Sequence, residues 1–141
     1  MIFDATNMIL GRLATQVAKS ALEGNDVVVI NAEKAILSGD PKGIYDRHAW
    51  LKRKVTHRHT GPYYSTRPDL FVKRTVRGML PYKKARGSEA LRRVMVYLGT
   101  PDEYKDKEMV RAEKDLSKLG TLKFTSVGEI CSRMGWKNAN G

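Results

Sequence analysis

Four consecutive β-branched residues, Val27-Val28-Val29-Ile30, follow directly on one helical stripe, and together they dictate the architecture of the first thirty residues. Leu10, Leu13, Ala14, Val17, Ala18, Ala21 and Leu22 recur at three- and four-residue spacing, which places them on one side of a helix. Arg12, Gln16, Lys19 and Glu23 fill the other side, Asn7 is the expected N-cap, and Gly24 stands where a helix ends in a left-handed residue. The valine run shows no polar alternation, so both faces of that strand are expected to be covered, as in a parallel sheet flanked by helices. With Ile2–Ala5 as a short first strand, the order is strand, helix, buried strand. That is a βαβ unit, and its crossover is expected to be right-handed.

Beyond this start the pattern loosens. Ile36-Leu37-Ser38-Gly39 reads either as a second short strand or as a continuation of the first. Asp40-Pro41 marks a helix start, with proline at the first helical position, and the helix is expected to run to about Lys52. Lys54 to Pro68 has no apolar period and reads as an extended loop. Loops of that length in a compact chain are commonly functional. Asp69 is the expected cap of a further helix with Val72, Val76, Met79 and Leu80 inward, and with Lys73, Arg74 and Arg77 side by side on another face. Pro81 ends it. Ser88 is the expected cap of a short helix through Arg93. Val94–Leu98 reads as a buried strand, Asp102–Lys118 as a solvated helix or loop, and Ser126–Met134 as a last helix.

The charge is unevenly distributed. Lys42 to Arg93 holds fifteen Lys and Arg against Asp46, Asp69 and Glu89, a balance of +12. The remaining residues hold eleven basic and twelve acidic groups, a balance of −1, giving the net +11. A near-neutral body carrying a cationic segment is the mark of a surface for a polyanion. Tyr45, Trp50, Tyr63, Tyr64, Phe71 and Tyr82 interleave with the cations. Trp50 and Phe71 sit at helical positions and are expected in the core. Tyr63 and Tyr64 lie in the loop beside Gly61-Pro62, where rings can stack on unpaired bases. The candidate RNA-binding set is therefore Arg47, Lys52, Arg53, Lys54, Arg58, Tyr63, Tyr64, Arg67, Lys73, Arg74, Arg77, Lys83, Lys84, Arg86, Arg92 and Arg93. An anionic membrane surface fits poorly, because the apolar stripes face a core rather than lipid.

Other chemistry finds little support. A dinucleotide site needs three spaced glycines, and only Gly11 stands at the helix start. Ser38–Gly43 lacks the Gly-Lys-Ser/Thr order of a phosphate loop. His57 and His59 flank Arg58 with no further ligand at metal-binding spacing. Cys131 lies at a helical position and is expected to be an inert core thiol; as the single cysteine of the chain it fits a reducing compartment. Asp4, Glu33 and Asp40 follow strand ends, where α/β enzymes keep catalytic groups, but a capping or solvated role is the expectation for each. The start of the chain has no basic, apolar leader pattern and no apolar run reaches the ~18 residues of a membrane span, so a cytoplasmic protein is expected. At 141 residues, one domain is expected, able to fold without disulfide or metal.

Several segments resemble the large-subunit ribosomal protein thirteen family. They are Asp4-Ala5-Thr6, Leu10-Gly11-Arg12-Leu13-Ala14, Val28-Val29-Ile30-Asn31-Ala32-Glu33-Lys34, Arg67-Pro68-Asp69, Arg77-Gly78-Met79-Leu80-Pro81 and Val96-Tyr97-Leu98-Gly99-Thr100-Pro101. Each is weakly specific alone; their order and spacing over residues 2 to 101 are highly specific. Glu23-Gly24-Asn25-Asp26 joins the first helix directly to the next strand, which is similar to the archaeal type and lacks the longer bacterial insert. The resemblance implies a three-layer α/β/α fold with a mostly parallel sheet of about four strands, from which the basic loop-helix segment extends. Residues 1–41 would form the βαβ start, 42–93 the RNA-binding segment, and 94–141 the closing strand and C-terminal helical region. It also implies a place on the large ribosomal subunit beside ribosomal RNA and neighbouring ribosomal proteins, with no enzyme activity and no cofactor. The rival expectation is an RNA-modifying enzyme that holds a nucleotide-like cofactor on its sheet.

Overall fold

In the computed structural model, which describes residues 1–54, 61–111 and 116–138, the β-branched run is the centre of a parallel sheet. β1 (Ile2–Asp4), β2 (Val27–Ile30) and β4 (Val94–Val96) lie in the order β1-β2-β4, with Phe3 opposite Val29 and Val29 opposite Val96. All the pairings are parallel, as covering on both faces requires. Val110 continues the sheet by one residue beyond β1, through a parallel bridge to Phe3. A separate two-stranded antiparallel sheet joins β3 (Ile36–Ser38) to β5 (Phe124–Ser126). Thus Ile36–Ser38 belongs to its own sheet, and its partner β5 carried no strand signal of its own.

Helix α1 (Leu10–Leu22) buries the stripe its spacing marks: Leu10, Leu13, Ala14, Val17, Ala18 and Ala21. Gly24 ends it at φ +97°, a conformation glycine adopts without a Cβ penalty. The cap differs from expectation. Asn7 is left-handed (φ 59°) and two residues upstream of the N-cap, Ile9. The intervening Met8 and Ile9 are needed because Met8 supplies its carbonyl to Ile36 N–H, tying the helix entry to β3.

Helix α2 (Pro41–Arg53) starts as read: the Asp40 carboxylate accepts from Gly43 N–H and Pro41 takes the first position. Helix α3 (Pro68–Met79) starts two residues earlier than expected, with Arg67 rather than Asp69 as N-cap, Pro68 at the first position and Asp69 in the first turn. Val72, Val76 and Leu80 are buried, whereas Met79 is 41% exposed. Met79 instead lies over α1, where its sulfur meets the Thr15 hydroxyl at 3.5 Å. Helix α4 (Ala85–Arg92) begins three residues before the expected cap Ser88, whose backbone N–H already donates to Lys84. What sets this start is Gly87, seated against the Pro81 carbonyl. Helix α5 (Val127–Arg133) is capped by the Ser126 hydroxyl, which accepts from Glu129 N–H.

The core joins α1, the sheet, α3 and α5: Leu13, Val17, Val27, Val29, Val72, Val76, Val94 and Val127 form one cluster. Each such side chain contributes about 1.5–3 kcal/mol through burial. Helix α2 stands apart from it, with no fully buried residue. It is held from the C-terminal side: Tyr45 Oη donates to the Arg133 carbonyl at 3.5 Å and Lys52 Nζ to the Met134 carbonyl at 2.8 Å. Residues 124–134, which the sequence left without a role, are therefore the support on which the first basic helix rests.

Candidate nucleic-acid interface

The cationic segment is carried on α2, the Gly61–Arg67 loop, α3, the Pro81–Lys84 turn and α4. On α2, Arg47, Trp50 and Lys54 recur at i, i+3 and i+7 and are exposed, while Ile44, His48 and Leu51 on the other side are half-buried. Trp50 is the clearest departure from expectation: it is 52% exposed, not in the core, with the Lys54 ammonium 4.5 Å from its ring centroid. The helix buries its other side on α3, where the rings of His48 and Phe71 lie 5.0 Å apart, so Trp50 is turned away. Phe71 itself packs against the core, as expected.

The loop is fastened to α3 by Arg74. Its Nη1 donates to the Tyr63 carbonyl at 2.8 Å, and its guanidinium lies 3.9 Å from the Tyr64 ring centroid. One face of Tyr64 is therefore occupied, while Tyr63 is 61% exposed. Arg77, one turn further along α3, stacks 4.3 Å over Tyr82, the ring in the turn that carries Lys83 and Lys84. Planar guanidinium suits this stacking, at about 0.5–1 kcal/mol for each exposed pair.

Tyr63, Tyr64, Lys73, Arg74 and Arg77 are brought together around one cleft of about 490 Å³ between α2 and α3. His48 and Leu51 of α2, Phe71 of α3, Leu91 of α4 and Met134 after α5 also line it; sequence reasoning missed these, because they are spread over four elements and none lies in the charge pattern. Lys52 and Arg53 line a neighbouring groove between α2 and α5, with Arg133 and Asp46. Arg86 lies elsewhere, in a groove with Lys19, Glu23 and Met79. Lys83, Lys84 and Arg92 are exposed, and Arg93 is half-buried at the end of α4. Arg58, like His57 and His59, lies outside the described residues.

Carboxylates of the same chain neutralise little of this charge. Among the described residues the segment has one ion pair, Arg67 with Asp69, in which Nη2 meets Oδ2 at 2.7 Å and Nε meets Oδ1 at 3.2 Å. Asp69 is largely buried but the Arg67 side chain is 58% exposed, so phosphate oxygens can reach its guanidinium.

The polar residues at the strand ends are tied to one another. The Asp4 carboxylate accepts from Thr6 N–H, the Thr6 hydroxyl and the Asn31 amide, and the Asn31 side chain accepts from Thr100. Burial would raise the Asp4 pKa; the Thr6 and Asn31 hydrogen bonds, with the charge of Arg111, outweigh it and hold the carboxyl below its ordinary range. Glu33 caps Gly99 N–H at 3.1 Å and Asp40 caps α2. For Glu33 and Asp40 these are the capping roles expected, whereas Asp4 is buried in a side-chain network. Cys131 is fully buried, and burial pushes its thiol up to about 12, which makes it a poor nucleophile. No helix among the described residues is long and apolar enough to cross a membrane.

Comparison with known proteins places this geometry. The family model described as "Ribosomal protein L13" matches residues 1–103, from β1 through the cationic segment to the turn after β4. The chain is 42% identical over 137 residues to the large ribosomal subunit protein uL13 of Methanococcoides burtonii, covering 96% of this chain and 98% of the relative. It is 42% identical to that of Methanosarcina barkeri, with the same coverage, and 43% identical to that of Haloarcula marismortui over 96% of this chain and 90% of the relative. Match, coverage and cationic surface agree, and the chain belongs to the ribosomal protein L13 family.

Proposed function

We propose that this chain is a structural constituent of the large ribosomal subunit, in the cytoplasm, that binds large-subunit ribosomal RNA and compacts it during assembly. It acts as a component and not as an enzyme. The observation that carries the reading is an exposed cationic segment with a single internal ion pair among the described residues, on a chain of the L13 family. Unneutralised cations crowded on one segment repel each other, and that repulsion is relieved when phosphates approach. The α/β body holds them in place, so the ordering entropy of binding is small.

The RNA contacts in this reading are Arg47, Lys52, Arg53, Lys54, Arg58, Arg67, Lys73, Arg77, Lys83, Lys84, Arg86, Arg92 and Arg93, with Tyr63, Tyr64 and Arg74 shaping the loop. Contacts to backbone and RNA shape dominate, since the deep groove of A-form helices hides base edges. All 141 residues act as one domain: 1–41 and 94–141 build the scaffold together with the inward sides of α3 and α4, with helices on both faces of the sheet in three layers and a fourth strand position at Val110, and the outward side of 42–93 faces RNA. Full burial of Val27, Val29 and Ile30 supports cover on both faces. Neighbouring ribosomal proteins share the surface outside the basic segment.

Sedimentation tests this. The protein should remain with large-subunit particles through a high-salt wash and should be recovered with them after chromatography. Recovery as free protein under the same wash contradicts the reading.

A further inference from the structure

The cleft between α2 and α3 combines two properties that a backbone-only interface does not need. Its half-buried wall is apolar and aromatic, from Leu51, Phe71, Leu91 and Met134, and its outer lining carries Lys73 and Arg77. No carboxylate lines it among the described residues. Its volume, about 490 Å³, lies in the range of about 300–1,000 Å³ of small-ligand sites. Duplex RNA is too broad to enter such a cleft, and phosphates alone have no use for an apolar floor. One unstacked nucleotide supplies both a flat apolar face and flanking anions.

We propose, resting on the ribosomal reading above, that this cleft takes a single unpaired nucleotide of ribosomal RNA, its base against Leu51 and Phe71 and its neighbouring phosphates on Lys73 and Arg77. Arg74 is a positioning residue. Its guanidinium is occupied by the Tyr63 carbonyl and the Tyr64 ring, and so holds the loop side of the cleft open. Bases in loops and bulges are already unpaired, so entry costs little stacking energy. The cationic lining favours an RNA occupant over an uncharged or basic protein segment.

Two variants of unchanged charge test it: Leu51→Trp, which fills the cleft, and Phe71→Leu, which removes the ring but keeps most of its bulk. Each is measured against large-subunit ribosomal RNA of Methanosarcina barkeri across a salt series, with circular dichroism to establish folding. Affinity should fall about tenfold, the effect of one stacked base, with the log–log salt slope unchanged. If Leu51→Trp does not fold, Phe71→Leu decides alone. Wild-type affinity in the folded variants overturns the proposal, and so does a loss accompanied by a flatter slope, which would be lost phosphate contacts. Unchanged RNA affinity with weakened retention on particles would assign the cleft to a neighbouring protein and also overturn it. The double variant Lys83→Ala/Lys84→Ala, outside the cleft, is the control for the underlying reading: if it alone lowers affinity, only the nucleotide cleft is wrong; if it too is silent, the basic segment is not the RNA surface.

Discussion

A methyl group at position 87 has no room. A Cβ there would lie 2.1 Å from the Pro81 carbonyl oxygen and 2.3 Å from its carbon, backbone atoms that no rotamer change can move aside. Gly87→Ala should therefore lower the unfolding free energy by about 1–3 kcal/mol in denaturant titration. An unchanged midpoint would mean that α4 does not pack on the Pro81 turn. Asp4 makes a pH-dependent prediction. Its carboxyl is held below the ordinary 3.8, so the folded state binds the proton less tightly than the unfolded chain. The stability it contributes is present at neutral pH and is lost as pH falls from about 4 through the folded value. Asp4→Asn should lower stability at pH 7 and flatten the profile below about pH 4; parallel profiles for the two proteins would contradict this. At this scale the sequence was partly legible. Gly24 and the Asp40-Pro41 start are fixed by local backbone preference and could be read. Trp50 could not, because helical spacing gives a stripe but not which stripe meets the body.

At the level of elements, α3 is the hinge between core and surface. Val72 and Val76 are fully buried, and Arg74 and Arg77 on the same helix face outward. The two arginines do different work. Arg77 stacks on one exposed ring, so Arg77→Ala should weaken RNA binding and flatten the salt slope by about one unit. Arg74 also anchors the loop through a backbone carbonyl, so Arg74→Ala should cost more affinity than Arg77→Ala, and Arg74→Lys should restore little, lacking the planar fork. Equal affinities for the two alanine variants would remove the bracing role. Periodicity marked α1 and α3 because each has a long one-sided stripe, and the Asp40-Pro41 start marked α2. It missed β5 and misplaced the start of α4, since three-residue strands and eight-residue helices are decided by tertiary contacts: the ladder to β3, and the close approach at Gly87.

Across the whole molecule, the separation of charge was legible from the sequence because it is a property of composition along the chain. The cleft was not, because it is assembled from α2, the loop, α3, α4 and the residue after α5. The C-terminal segment shows the same limit: nothing in its composition points to the carbonyls of Arg133 and Met134 as the anchors of a basic helix. The central claim is that one cationic segment on a neutral scaffold meets many phosphates at once. The salt dependence of binding to large-subunit ribosomal RNA tests it most directly. With about half of the fifteen cations on phosphates, the logarithm of the affinity should fall against the logarithm of salt concentration with a slope of about −5 to −7. A slope between zero and about −2 would mean that few of them touch RNA, and the account would be wrong.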